Sequence, residues 1–168
     1  MSDVEDAPRR VQVQLSLERI YLKDASFESP GTPTIFLEEF RPEMQVDINT
    51  GVNSLGDSRH EVVLTVTVTA KRKESLVAYI AEVHEAGIFF IEGVDGEALR
   101  QVLGIHCPTT LFPYVRECLD GLIVKGGFPA LHLAPVNFEA LYTQAAQRAA
   151  QSAADQSDTS QSDESVKH

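Results

Sequence analysis

The sequence predicts an α+β fold: a four-stranded antiparallel sheet, a meander with one crossover loop, followed by helices. Between Glu61 and Phe90 apolar residues recur at every second position on either side of a short charged link, as in two strands folded back as a hairpin. After Phe90 the apolar spacing lengthens to that of helix faces. The strand-like segments come first, in a row with short links. That order favours a meander over alternating βαβ units.

The first strand spans residues 11–23, with Val11, Val13, Leu15 and Leu17 in one phase and Ile20 and Leu22 in the other. A change of phase inside a strand predicts a β-bulge. Asp24 and Glu28 bracket Phe27, which reads as an acidic rim around an aromatic. Residues 29–42 hold Pro30, Gly31, Pro33 and Pro42 and form a crossover loop. The loop is nevertheless apolar, with Ile35, Phe36, Leu37 and Phe40. It reads equally as cover for a core edge or as a binding segment. Glu43–Asn49 is a short strand, and Thr50–Asp57 reads as a turn region rich in Gly and Asn.

In the hairpin, Leu64, Val66 and Val68 face one way and Thr65, Thr67 and Thr69 the other. After the link Lys71–Glu74, Val77, Tyr79, Ala81 and Val83 share one face, and Ala78, Ile80, Glu82 and His84 share the other. Ile80 beside Glu82 reads either as a recognition surface or as a solvated sheet face with one exposed apolar residue. Asp95 is placed to cap a short helix, Gly96–Leu103, closed by Gly104 and broken at Ile105–Pro108. A longer helix follows from about Leu111 to Lys125. Its wide apolar face, with Leu111, Val115, Cys118, Leu119, Leu122 and Ile123, suits one side on the sheet and the other on a second subunit, flanked by Arg116 and Asp120. Gly126-Gly127 ends it. Phe128–Val136 is a proline-bounded linker, and Asn137 caps a last helix carrying Phe138, Leu141 and Tyr142. From about Ala146 the chain turns to Gln, Ala, Ser and Asp, a composition that predicts disorder. The expected organisation is a disordered N-terminus at 1–9, one domain at 10–145 and a disordered acidic tail at 146–168.

The formal net charge is −11. About two-thirds of it falls on the predicted folded part, which argues against nucleic acid as partner and allows a basic protein partner. No apolar run approaches the roughly 20 residues needed to span a bilayer. The acidic start MSDVEDAPRR lacks the apolar stretch of a secretory signal, so a cytoplasmic protein is expected. Cys107 and Cys118 are the two cysteines. They read as reduced structural thiols, and His106–Cys107 as a poor nucleophile pair, because adjacent side chains on extended backbone point apart. Phosphate-loop, dinucleotide and nucleophile-elbow motifs are absent, and the histidines lack metal spacing. No cofactor, metal or enzymatic activity is expected.

The blocks RIYLKDASFESP, EVVLTVTVTA, IAEVHEAGIF, LGIHCPTTLFPYVREC and FPALHLAPVNFEALY occur in order. On these blocks, over residues 11–143, the chain resembles the SecB family of protein-export chaperones. The resemblance implies helices packed on one face of the sheet. It also implies a homotetramer, a dimer of dimers, whose long helices lie between two eight-stranded sheets. The implied function is ATP-independent binding of non-native precursor proteins and their delivery to the SecA ATPase, so that the membrane is met only through SecA. Carried over by position, SecA would contact Asp24, Glu28, Ile80 and Glu82. Clients would lie in grooves lined by Ile35, Phe36, Phe40, Leu131, Leu133, Phe138, Leu141 and Tyr142. Phe40 stands where the family commonly has Trp, and Ala81 where it can have Cys. The family also includes antitoxin-type chaperones dedicated to a single partner, which leaves an oligomeric adaptor as the alternative function.

Overall fold

The computed structural model describes residues 12–72 and 76–159. Strands β1 (Gln14–Glu28), β2 (Glu43–Gly56), β3 (Arg59–Lys71) and β4 (Val77–Glu92) form one antiparallel sheet in the order β1-β4-β3-β2. The meander β2-β3-β4 is thus as expected. The loop 29–42, which contains a 3-10 turn at Thr34–Leu37, carries the chain from one sheet edge to the other.

Alternation sorts each strand into two faces. On the helix side Val62, Leu64, Val66, Val68, Ala81 and Val83 have no exposed surface. The phase change in β1 is a bulge: the register shifts between Leu17, opposite Phe89, and Arg19, opposite Ile88. The extra residue returns Ile20, opposite Gly87, to the helix side with Leu17. A second shift between Leu22 and Asp24 prolongs β1 to Glu28, five residues past the expected end.

The expected turn at Thr50–Asp57 is instead mostly strand, with Gly51 opposite Val63 and Asn53 opposite Glu61. Asn is tolerated there because the Asn53 amide donates to the Glu61 carboxylate at 2.7 Å. The turn itself is tight, with positive φ at Gly56, Asp57 and Ser58. In the next hairpin the Arg72 amide donates to the Leu76 carbonyl at 2.8 Å. Lys73 and Glu74 of the expected link lie outside the described residues, as do the expected N-terminal segment 1–9 and the last part of the expected tail, 160–168.

Helix α1 (Gly96–Gln101) runs into a π-helical turn (Val102–His106) and then into α2 (Cys107–Lys125). The expected break at Ile105–Pro108 is therefore a wide turn within continuous helix. A π turn absorbs an extra residue without ending the helix: the Cys107 amide donates back to the Val102 carbonyl, and Pro108, which has no N–H, follows it. The Thr109 and Thr110 hydroxyls donate to the Ile105 and His106 carbonyls at 2.6 and 3.0 Å. Asp95 holds the N-cap position of α1 without a side-chain cap bond.

Helix α2 lies chiefly over β4 and β3 and buries Leu111, Val115, Leu119 and Ile123 completely. Helix α3 (Phe138–Thr159) opens as expected, the Ala140 amide donating to Asn137 Oδ1 at 2.9 Å. It continues past Ala146, where composition suggested a disordered tail. The Ala and Gln residues of that stretch have high intrinsic helix propensity.

Candidate docking face and aromatic groove

The bulges in β1 decide what its last residues present. Asp24 lies opposite His84, Ser26 opposite Glu82 and Glu28 opposite Ile80. Directly opposed residues share a face, so Asp24, Glu28, Ile80 and Glu82 come together on the side of the sheet away from the helices. Asp24 and Glu28 are exposed, and Ile80 and Glu82 half-buried. Glu82 is held at both oxygens. Thr67 Oγ1 donates to Oε2 at 2.6 Å, and His84 Nε2 lies 2.7 Å from Oε1. These bonds, Thr67 first, hold its pKa below the ordinary carboxylate value.

Farther along the same face Glu61 accepts from Lys23 Nζ at 2.7 Å, from Asn53 and from Tyr21. Donation from Lys23, then Tyr21 and Asn53, brings Glu61 down to about 2. The bond to Glu61 raises Tyr21 to about 12. Of the carboxylates on this face, Glu82 and Glu61 are thus held by hydrogen bonds, and Asp24 and Glu28 are exposed.

Phe27 departs from the sequence reading. Alternation turns it to the helix side, so Asp24 and Glu28 do not ring it. It is one of four aromatics packed around Phe128: Tyr79 at 4.9 Å between ring centroids, Phe36 and Phe40 at 5.2 Å, and Phe27 at 6.2 Å. Tyr79 and Phe128 form a buried floor, while Phe36 is 49 % exposed at the rim. Gly126 and Gly127 make room for this cluster. A β-carbon at Gly126 would collide with the Phe27 ring, and one at Gly127 would sit 3.1 Å from Phe36. Of the expected loop residues, Phe36 and Phe40 meet over Phe128, and Ile35 is buried in the core. The sequence reading does not bring Phe27, Tyr79 or Phe128 into this cluster; the diglycine and the strand phase are the signals that point to them.

The remaining expected groove residues split. Leu131 and Leu133 are partly buried against the core, and their linker is tied down by Asp120, whose Oδ1 accepts from the Leu131 and His132 amides at 3.1 Å. Asp120 therefore faces its own linker. Phe138 is 4 % exposed and edge-on to Phe112 at 5.8 Å, so it anchors α3. Leu141 and Tyr142 line a second, open groove of about 640 Å³ between α3 and β2, with Ile48, Val52 and Leu103 and with Arg100 and Arg148 also lining it.

Of the six α2 residues assigned to an oligomer contact, Leu111, Val115, Leu119 and Ile123 are fully buried in the chain's own core. A side chain with no exposed surface has none to offer a second subunit. Cys118 and Leu122 remain half-buried, beside exposed Tyr114 and Val124. Cys107 is also fully buried, which pushes its thiol up to about 12. It stays protonated at neutral pH, and the His106–Cys107 nucleophile finds no support. Among the described residues no helix is long and apolar enough to cross a membrane.

The arrangement is one of surfaces: an acidic face, an aromatic cluster with an exposed rim, and an apolar groove. Residues 8–149 match the family model described as preprotein translocase subunit SecB. The chain belongs to the SecB family. It is 53 % identical over 143 residues to the protein-export protein SecB of Marinobacter nauticus, covering 85 % of this chain and 86 % of that one. It is 49 % identical over 148 residues to that of Hahella chejuensis, covering 88 % and 91 %. The fold is also similar to a SecB-like chaperone from Mycobacterium tuberculosis, solved with a ChAD peptide from an antitoxin. That match has a TM-score of 0.58 at 14 % identity and covers 73 % of this chain and 90 % of the other. SecB is a family of protein-export chaperones, not a family of enzymes.

Proposed function

We propose that the chain is an ATP-independent holdase. It binds non-native precursor proteins in its grooves, keeps them competent for translocation, and delivers them to the SecA ATPase from the cytoplasm as a homotetramer. The observation that carries this reading is the division of labour along one strand end. Asp24 and Glu28 look out over the acidic face, while Phe27 between them enters the aromatic groove. One short stretch of β1 thus serves two surfaces on opposite sides of the sheet, so that a client and SecA engage the same protomer without competing.

The groove chemistry suits clients of many sequences. Aromatic rings offer large contact area at modest entropic cost, and several grooves on one tetramer raise the effective concentration for a long unfolded chain. The charge of −11 and the fixed carboxylate of Glu82 suit a basic docking site on SecA.

The test has two arms. Light-scattering mass is measured with and without an unrelated, chemically unfolded protein and no nucleotide, and is expected to rise from a tetramer by one client. A chain that ignores unrelated clients is instead an adaptor for a single partner. SecA affinity is measured for Glu82→Lys, which is expected to lose docking by at least about tenfold while client capture is retained. Equal loss of both refutes the separation of the two surfaces.

A further inference from the structure

Among the described residues His84 is the one basic side chain that lies directly on Glu82 in the docking face. Its ring is fixed at both nitrogens: Nε2 is 2.7 Å from Glu82 Oε1, and Nδ1 is 3.2 Å from Thr65 Oγ1. An ionised carboxylate only accepts, so Nε2 carries a proton. In the neutral ring Nδ1 then accepts from the Thr65 hydroxyl. In the imidazolium Nδ1 donates, and the same hydroxyl rotates to accept. Thr65 therefore accommodates both protonation states without moving the ring. The outer face bears no packed helix among the described residues. The charged groups around His84 are Glu82 on its own strand, Asp24 directly opposite on β1, and beyond them Lys23 paired with Glu61.

We propose that His84 is a positioning residue of the docking face that also gates its charge. When neutral it aims the Glu82 carboxylate outward with its full negative charge, and when protonated it cancels that charge and competes with a cationic partner group. Docking of SecA therefore weakens on acidification, and Thr65-His84-Glu82-Thr67 acts as one unit. This rests on the docking reading of Glu82 given above.

Gating has a simple electrostatic basis. Protonation takes the Glu82–His84 pair from a net charge of −1 to zero, and an approaching guanidinium or ammonium group loses its counter-charge at contact distance. Thr67 still holds the other oxygen, so the carboxylate stays in place and the loss is one of charge, not of structure.

The test is the affinity of the full-length chain for SecA at about pH 8 and about pH 6, measured calorimetrically for the native protein and for His84→Gln, His84→Leu and Glu82→Lys. The native affinity is expected to fall several-fold more than that of His84→Gln across this interval. Gln keeps a donor for Glu82 and cannot charge. His84→Leu removes the donor, so its docking is expected to be weaker than that of His84→Gln at both pH values. If native and His84→Gln fall equally while Glu82→Lys still abolishes docking, His84 does not gate the face, and the docking assignment stands. If Glu82→Lys docks like the native protein, the assignment of the face fails and the gate with it.

Discussion

Two glutamates show how neighbours, not burial alone, decide what a carboxylate does to stability. Glu61 and Glu85 are 7 % and 6 % exposed. Glu61 is met by Lys23, Tyr21 and Asn53 and is lowered to about 2. Glu85 lies on the helix side of β4, and burial, then the Glu117 carboxylate, push it above the ordinary value. The signs follow by linkage. Glu61 has a depressed folded pKa, so its contribution is present above the unfolded value of 4.5 and is lost as pH falls toward 2. Glu85 has a raised folded pKa, so folding is opposed once it must ionise and is favoured as pH drops. Glu61→Gln is expected to cost about 1–3 kcal/mol at neutral pH, with the deficit shrinking as the native protein is acidified. Glu85→Gln is expected to stabilise by about 1 kcal/mol at neutral pH, with the gain fading as Glu85 protonates. Urea unfolding at a series of pH values checks both. Slopes of the same sign for the two variants would overturn the assignment. Period-two alternation made the two faces legible in the sequence, and so placed Ile80 and Glu82 together. It could not reveal the donors around Glu61, because Lys23 reaches its phase only through a second bulge that leaves no pattern, and Asn53 lies in a stretch that reads as turn.

At the scale of elements, what was legible followed strong periodicity and what was missed followed local exceptions. Alternation announces the hairpin and the bulge after Leu17, and Asn137 announces the start of α3, whereas the π turn at Val102–His106 has no sequence signature. Pro108 and Gly104 invite a helix break, and a wide turn bridges them. Gly104 is needed for another reason. A β-carbon there would lie 2.5 Å from the Tyr142 ring of α3. The glycine is thus a seat for α3, whose Tyr142 hydroxyl also donates to Glu97 Oε1 at 2.8 Å. Gly104→Ala is expected to lift the start of α3 from this seat and speed amide exchange over residues 138–145, while β3 and β4 stay protected. Unchanged exchange in α3 would show that the ring shifts without loosening the helix. The aromatic cluster was legible only in part for a related reason. Ile35, Phe36 and Phe40 stand out in an apolar loop, whereas Tyr79 and Phe128 look like ordinary core until the crossover brings the loop over them.

For the whole molecule, the surface left uncovered says where copies would meet in the proposed tetramer. Helix α2 covers β3 and β4, and β1 remains a free edge whose helix side shows Leu15, Leu17 and Leu22 at 38, 40 and 50 % exposure. The outer side of α2 adds Tyr114 at 50 % and Val124 at 54 %. The opposite edge, β2, also shows apolar groups, but α3 shares a groove with it, which leaves β1 the less occupied flank. Exposed apolar surface beside an unpaired strand edge favours association. Two four-stranded sheets become one eight-stranded sheet only by joining free edges, so the proposed tetramer needs such a flank. Charge placed there should oppose assembly without touching the core. The double variant Leu17→Glu, Val124→Glu is expected to lower the light-scattering mass below that of a tetramer while retaining the native circular dichroism spectrum. Its smaller species should still bind an unfolded client, but more weakly, because a long chain then finds fewer grooves per particle and loses the gain from effective concentration. A tetramer of unchanged mass would move the interface to the β2 edge. A smaller species with undiminished client affinity would show that one protomer's grooves suffice for capture.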